Sequence, residues 1–298
     1  MRSGHLRGGI FDTVNNVLLC LALAIIAMPL LFVVASSVSD PIAVASGRVW
    51  FWPVGFHLEA YNHVFKNGDI MSGYKNTIIY TFLGTLINLA LTVCAAYPLS
   101  RRDFVGRKVF MMLMVFTMYF SGGMIPTFLN IRNLNMIDTI WAMTLPGAIG
   151  TMNVIIMRTF FQTTIPPELH ESAVIDGASN IRTLASIILP LSKPVIAVLA
   201  LMYAVGHWNA FFNALLYIRS REKWPLQVIL REVLILRVSM EERAQMSEAD
   251  LKTYADQLLR SELIKYAIIV VANLPVLMIY PFIQKYFTKG IMIGSVKG

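Results

Sequence analysis

Six long stretches of this chain contain no Asp, Glu, Lys or Arg. Each has roughly the 20 residues that an α-helix needs to cross the hydrocarbon core of a bilayer. Only helices and closed barrels satisfy their backbone hydrogen bonds in lipid, and these stretches lack the alternating pattern of a barrel. The sequence therefore predicts an all-α integral membrane protein with six transmembrane helices. We call the stretches windows one to six; they cover residues 13–39, 76–100, 109–131, 139–157, 194–218 and 266–284.

The overall composition agrees with a membrane protein. Of the 298 residues, 56% are hydrophobic and 14% are charged, whereas a soluble domain carries about 25% charged residues. The net charge of +8 comes from residues that flank the apolar windows. We therefore expect these charges to orient the chain in the lipid bilayer, and we expect no nucleic-acid partner.

Motifs for common cofactors and reactions are missing from the sequence. It contains no GxxxxGK[ST] phosphate loop, no HExxH or CxxC metal pair and no GxSxG nucleophile motif. We therefore expect no enzyme activity, no cofactor and no metal in this chain itself.

The windows also lack the ionisable groups that a coupled carrier would use. His207 is the one side chain of that kind inside them, and proton- or sodium-driven carriers usually need such groups within the membrane. We therefore expect the driving energy to come from elsewhere. A stand-alone secondary carrier or channel is the alternative from a different class.

The loop between windows two and three indicates the orientation. Arg101, Arg102, Arg107 and Lys108 cluster there, and short basic loops stay in the cytoplasm. Counted over all loops, with this cluster included, Lys and Arg are almost evenly divided between the two sides, 12 inside and 13 outside. The orientation therefore depends on the density of this short cluster.

The same orientation divides the chain into regions. The membrane domain covers residues 13–287 and includes a cytoplasmic hairpin at 163–194 and a long external loop at 219–265. Residues 1–12 and the tail at 288–298 are both expected in the cytoplasm.

The hairpin has a distinctive local sequence. Pro166 and Pro167 favour the start of a helix, where a missing N–H costs little. Gly177 then allows a sharp turn; Pro190 comes shortly before window five, and Pro194 is its first residue. A polar helix–glycine–helix hairpin between two membrane helices is suited to docking a partner at the membrane surface. An amphipathic hairpin lying on lipid head groups is the alternative.

The hairpin resembles the "EAA" signature of membrane subunits of binding-protein-dependent ABC importers. It reads Glu171-Ser172-Ala173, three residues, Gly177, nine residues, Ile187, one residue and Leu189-Pro190, with Ser172 where alanine is commoner. Two further segments resemble the sugar-importing branch of this family; they are Trp208-Asn209 with Phe211-Phe212, and Gly290 with Gly294–Gly298. The segments at 124–127 and 156–161 look like the subgroup that handles oligosaccharides from polysaccharides such as alginate and pectin.

The resemblance implies a complete transport system. The fold would be that of a type I ABC importer permease, multi-pass in the bacterial cytoplasmic membrane. The implied partners are a second homologous permease in a heterodimer, two ATP-binding cassette subunits that hold ATP and Mg, and an extracytoplasmic solute-binding protein. The implied substrate is an oligosaccharide, and the subgroup resemblance includes acidic uronides such as alginate or pectin fragments. Another solute such as a glycerophosphodiester is the alternative.

The resemblance also implies roles for the hairpin residues. In this family the hairpin is a coupling helix that sits in a groove of the ATPase subunit. Glu168 and Glu171 would pair with cations of that subunit, and their position near a helix N-terminus is favourable. Asp176 would cap the second helix. The remaining residues that we assign to this coupling surface are Ser172, Ala173, Gly177, Ala178, Leu189 and Pro190.

The substrate path is a hypothesis based on polar and aromatic residues inside the windows. Trp208 would stack on a pyranose ring while asparagines bind its hydroxyl groups. The alternative for each residue is a hydrogen bond between helices. The proposed path residues are Tyr203, His207, Trp208, Asn209 and Asn213 of window five and Asn153 of window four.

Overall fold

Two long helices stand out in the computed structural model, which describes residues 5–235, 264–279, 281 and 284. Each of them is long and apolar enough to cross a membrane. Two bent pairs of helices also qualify if each pair is counted as one segment, which gives up to four such segments in the described residues. The predicted tail at 288–298 and most of the second half of the loop at 219–265 lie outside the described residues.

The described elements are helical throughout. A π-helical segment, Leu184–Ile188, joins α10 to α11, and a short 3₁₀ turn, Arg221–Lys223, precedes α14. The α-helices are α1 (His5–Ser37), α2 (Pro41–Ala45), α3 (Glu59–Lys66), α4 (Gly68–Ser100), α5 (Arg107–Tyr119), α6 (Met124–Asn133), α7 (Ile140–Thr144), α8 (Thr151–Thr163), α9 (Glu168–Ile175), α10 (Asn180–Thr183), α11 (Leu189–Leu191), α12 (Lys193–Trp208), α13 (Phe211–Tyr217), α14 (Leu226–Ile235) and α15 (Ile264–Ile279).

The chain divides into two units, Met1–Met71 with Leu230–Leu274, and Ser72–Ile229 with Pro275–Gly298. In the first unit, the apolar part of α1 has a mean hydropathy of 3.1, and its most apolar stretch is unburied within the described chain. Such a surface is suited to contact with lipid. The Phe32 ring contacts the Tyr266 ring edge-to-face, with 5.8 Å between centroids.

The second unit is organised around one face of α4. Small and polar residues on that face are buried at helical spacing, among them Gly73, Thr77, Asn88, Thr92 and Ala96. Residues three and four apart share a helix face, so neighbouring helices approach α4 closely along this line.

The core of the second unit lies at the end of α4 that precedes the basic loop. It combines buried side chains of α4, α8 and α12 with one residue after α8 and one of the π-helical segment. These residues are Ala96, Tyr97, Leu99, Val154, Met157, Phe161, Ile165, Ile188, Val195 and Leu199.

Windows three and four are broken, whereas one helix was expected in each. Residues 120–123 separate α5 from α6, whose axes differ by 112°. Gly123 has φ 85° there, a left-handed conformation that ends the helix. In window four, Pro146 and Gly147 (φ 72°) lie between α7 and α8.

Window five is also divided, between α12 and α13 at Asn209 and Ala210. Window six appears in α15, an apolar helix of 16 described residues. This length is below the about 20 residues that cross a bilayer. The expected six-helix count therefore stays a prediction.

Candidate coupling hairpin and translocation path

The first arm of the hairpin is α9. Pro167 precedes it with helical backbone angles, and Glu168 and Glu171 lie in its first turn. Both carboxylates are exposed, and they lie where the free N–H groups of the helix favour negative charge. The acidic end of α9 is therefore available to a basic partner.

The turn after α9 has the geometry of a Schellman motif. Gly177 has φ 71°, its N–H donates to the Val174 carbonyl at 3.0 Å, and the Ala178 N–H donates to the Ala173 carbonyl at 2.9 Å. These bonds satisfy carbonyls that a helix end leaves unpaired. The expected sharp turn at Gly177 is present.

The prediction that Asp176 caps the second helix of the hairpin is wrong. Asp176 ends α9 as its C-cap residue. The N-cap of the second helix, α10, is Ser179, whose hydroxyl accepts from the Arg182 N–H at 3.3 Å. Serine is among the best N-cap residues, so the nearer serine takes the capping position.

The second arm of the hairpin consists of α10, the π-helical segment and α11, and it leads into α12. Leu189 and Pro190 begin α11 directly after the π-helical segment. Proline in a helix interior clashes with the carbonyl four residues earlier, and a π turn shifts that carbonyl away. The arm and α12 then differ in direction by 82° across Ser192.

The surface of the hairpin combines charge with apolar side chains. Ala173 is buried, Ala178 is half-buried and Ser172 is exposed. Ile175 and Ile181 are 85% and 80% exposed, which is costly in water for large apolar groups. This surface has the composition of one that another protein covers.

Two of the predicted path residues bond to α4. The Tyr203 hydroxyl lies 2.7 Å from the Thr92 hydroxyl and also accepts from the Gly150 N–H at 3.4 Å. The Nε2 atom of His207 lies 3.2 Å from Nδ2 of Asn88, so Nε2 accepts in this pair. Sequence reasoning did not identify Thr92 and Asn88 as their partners.

The other path residues are placed differently. Trp208 is 6% exposed, and its ring meets the Tyr74 ring edge-to-face at 5.7 Å. Asn209 is exposed; its Nδ2 donates to the Val205 carbonyl at 2.9 Å and its Oδ1 accepts from Gln227 at 3.2 Å.

Asn153 and Asn213 are half-buried, on α8 and α13 respectively. The structure therefore brings Tyr203 and His207 together along α4, while Asn213 lies on a separate helix.

A cavity of about 200 Å³ lies beside Trp208. Its walls include Thr81 and Thr85 of α4, Ala204 of α12 and Pro275 of α15. This cavity is within the second unit and borders the same face of α12 that carries Trp208.

At the opposite end of α4, an acidic residue holds a turn in place. Asp138, at φ 59°, accepts from the backbone N–H groups of Arg219 and Ser220 and from the Ser220 hydroxyl. Its carboxylate also pairs with Lys223 at 2.8 Å. Burial alone would raise the pKa of Asp138, but the hydrogen bonds from Lys223 and Ser220 outweigh it, and the pKa is lowered.

The described part of the chain is helical and includes segments long and apolar enough to cross a membrane, and comparisons with known proteins give the family. No protein-family model matches the chain. It is 44% identical over 98% of its length to protein LplC of Bacillus subtilis (strain 168), covering 96% of that protein. It is 42% identical over 98% of its length to the polygalacturonan/rhamnogalacturonan transport system permease protein YtcP of the same organism, covering all of it.

A solved structure agrees with these relatives. A bacterial ABC transporter involved in the import of the acidic polysaccharide alginate has a chain with a TM-score of 0.83 and 36% identity, and the match covers 96% of this chain and 99% of that one. The chain therefore belongs to the family of permease subunits of carbohydrate-importing ABC transporters.

Proposed function

We propose that this chain is one of two different permease subunits of an ABC importer for acidic oligosaccharides. The observation that carries the proposal is the similarity over nearly the full length to a permease for polygalacturonan and rhamnogalacturonan and to a transporter of alginate. Both names describe acidic polymers, so a negatively charged oligosaccharide is the substrate class that we infer for this chain.

The proposed assembly follows from the family. The chain would cross the bacterial cytoplasmic membrane six times with both termini in the cytoplasm, beside a second homologous permease. An extracytoplasmic binding protein would deliver the solute. Two cytoplasmic ATPase subunits would hydrolyse ATP with Mg, so that this chain itself performs no catalysis and holds no cofactor.

The hairpin at 163–194 is the proposed contact with an ATPase subunit. The exposed Glu168 and Glu171 supply negative charge, and the exposed Ile175 supplies apolar surface. The Schellman turn at Gly177 ends α9 rigidly, so force applied to α9 is transmitted to the second arm and then to α12. The anionic helix start disfavours the alternative in which the hairpin rests on acidic lipid head groups.

Co-purification and transport test this coupling surface. Glu171→Lys reverses an exposed charge on α9, so we expect the fold to persist, ATPase docking to weaken and uptake to be lost. Glu222→Lys reverses an exposed charge on the 3₁₀ turn before α14 and is the matched control. A Glu171→Lys complex that keeps its ATPase and its full uptake would refute the coupling assignment.

The class of transporter is tested separately. Uptake into vesicles should require ATP and survive collapse of the ion gradients, and acidic oligosaccharides should compete with the substrate better than neutral ones of equal length. Uptake that depends on an ion gradient would support the secondary carrier instead.

The path through α12 is part of the same proposal. Because Trp208 is buried against Tyr74, Trp208→Ala would also cost about 3–5 kcal/mol of packing. Trp208→Phe keeps an aromatic ring in that position and is the better test. We expect it to lower uptake while basal ATPase activity and assembly persist; normal uptake would remove Trp208 from the path.

A further inference from the structure

The end of α4 that carries the basic loop makes specific contacts with the hairpin. Arg101, directly after α4, donates from Nη1 to Nδ1 of His170 on α9 at 3.0 Å. The His170 ring also stacks on the Tyr97 ring of α4, with 5.8 Å between centroids and 26° between planes. One residue of α9 is therefore held by two residues at the end of α4.

Arg101 is itself fixed in position. Its Nε and Nη2 donate to the two carboxylate oxygens of Asp103 at 2.8 and 2.7 Å, a paired geometry that fits the planar guanidinium. The hydrogen bond from Arg101 lowers the pKa of Asp103 to about 2. The carboxylate thus stays charged at neutral pH and keeps the third donor, Nη1, directed at His170.

The end of α4 is also attached to α8. The Nε of Arg158 donates to the Leu99 carbonyl at 2.9 Å, and Nε2 of Gln162 donates to the Ser100 carbonyl at 3.1 Å. These carbonyls are among the last four of α4, which have no partner within the helix. Side chains of α8 therefore satisfy carbonyls at the end of α4, while α9 contacts the same end through His170.

The contact with Arg101 requires a neutral His170. A guanidinium only donates hydrogen bonds, so Nδ1 must carry a lone pair, and the ring proton is on Nε2. The charged groups that face His170 are Arg101 and Asp103, and burial followed by the charge of Arg101 lowers the pKa of His170 from its ordinary 6.5. Protonation of the ring would remove the acceptor and place two cations against each other.

We propose that Arg101 and His170 are positioning residues that fasten the coupling hairpin to α4, so that α4 moves with the hairpin during each transport cycle. This inference rests on the proposed function of the hairpin and adds a second route of transmission to the one through α12. The far part of α4 carries Asn88 and Thr92, which bond to His207 and Tyr203. Motion of α9 therefore reaches the proposed path from both sides of the α4–α12 contact.

The test measures the ATP hydrolysed per oligosaccharide imported by the full complex in proteoliposomes. His170→Phe keeps a ring to stack on Tyr97 but has no acceptor, and Arg101→Gln removes the charged donor. We expect both complexes to retain the ATPase subunits and to use at least about tenfold more ATP per import event, the lower limit of the factor that follows from loss of one charged hydrogen bond. His170→Asn places an amide oxygen near the position of Nδ1 and should stay close to the wild-type ratio.

A pH series provides a second measurement that needs no destabilising variant. The pKa of His170 is lowered by burial and by Arg101, so the wild-type ratio should stay constant from neutral pH to about pH 6.5 and rise as the pH falls further, towards about pH 5. His170→Asn should remove this rise. His63→Asn, at an exposed histidine of α3, is the control and should behave as the wild type.

The possible outcomes separate this inference from the proposed function. If the wild type imports with ATP and His170→Phe is equally well coupled, the positioning role is refuted while the importer stands. Loss of the ATPase subunits from His170→Phe would also refute it, because His170 would then belong to the docking surface. If the His170→Phe permease itself is not recovered from the membrane, a wild-type ratio that stays flat from neutral pH down to about pH 5 refutes the role. A wild-type complex without an ATPase or without ATP-driven uptake refutes the proposed function itself.

Discussion

Gly84→Ala should disturb the contact between α4 and α12 more than its size suggests. A Cβ atom at Gly84 would lie 2.4 Å from Nε2, 2.5 Å from Cε1 and 2.8 Å from Cδ2 of His207. Ordinary contacts between such atoms begin near 3.4 Å, so the imidazole ring would have to move by about 1 Å.

The expected cost combines three effects. Forcing a methyl group into a filled site costs about 1–3 kcal/mol, and displacing His207 from Asn88 costs about 1 kcal/mol for the hydrogen bond. Replacing a helical glycine by alanine returns about 1 kcal/mol. The sum is a destabilisation of about 1–3 kcal/mol, which corresponds to a fall in Tm of about 2–10 °C for a chain of this size.

Thermal unfolding of the detergent-solubilised complex measures this change. Gly206→Ala is the matched control, because Gly206 precedes His207 on α12 and a Cβ there meets nothing within 4 Å among the described residues. His207→Ala should relieve the clash, so Gly84→Ala should cost less in that background than in the wild type. If Gly84→Ala and Gly206→Ala unfold at the same temperature, or if the effects of Gly84→Ala and His207→Ala simply add, the reasoning is wrong.

Two further predictions concern the turns at either end of α4. Asp138→Asn keeps the left-handed backbone, which asparagine tolerates, but loses the ion pair with Lys223; because Lys223 is half exposed, we expect a loss of only about 1 kcal/mol at pH 7 in thermal unfolding. The folded pKa of Asp138 is lowered, so the wild-type advantage should be constant above the ordinary pKa of 3.8 and shrink only below it, and a difference that shrinks between pH 7 and pH 5 would contradict this. Gly177→Ala should cost roughly 1 kcal/mol for its φ of 71° and weaken ATPase binding, whereas Gly177→Asn should cost less; equal effects of Ala and Asn would show that backbone strain is not the cause.

The long helices and the hairpin turn could be predicted from the sequence because each depends on local signals. Windows one and two are long, free of charge and free of glycine-rich breaks. Window one is helical in α1 as far as Ser37, and window two lies within α4. The turn depends on Gly177 alone, whose left-handed φ a side chain would oppose. These features are encoded within a few residues of where they occur.

The breaks in the other windows could be predicted only in part. Gly122 and Gly123, together with Pro126, signal a bend in window three, but absence of charge says nothing about its angle, which is 112° in the structure. The division of window five at Asn209 has no glycine or proline beside it. Such breaks depend on how neighbouring helices pack, which a single window does not contain.

Partners across helices were not predictable for the same reason. Asn88 and Thr92 are separated from His207 and Tyr203 by 119 and 111 positions in sequence, so their pairing requires knowledge of which face of α4 meets α12. Arg101 was interpreted only as a signal of orientation. Its contact with His170 became visible when the fold brought α9 against the end of α4.

The distribution of charge along the chain bears on how an acidic solute would be released. An arginine inside the membrane would hold a carboxylate strongly, because Coulomb attraction grows as the local dielectric constant falls. The proposed path offers neutral donors instead, such as Asn213 and Asn153, while the cations Arg101 and Arg158 are occupied at the end of α4 by Asp103 and the Leu99 carbonyl. Neutral hydrogen bonds are weaker than charged ones, so a negatively charged sugar would be bound loosely along this subunit and leave it quickly once the ATPases change state.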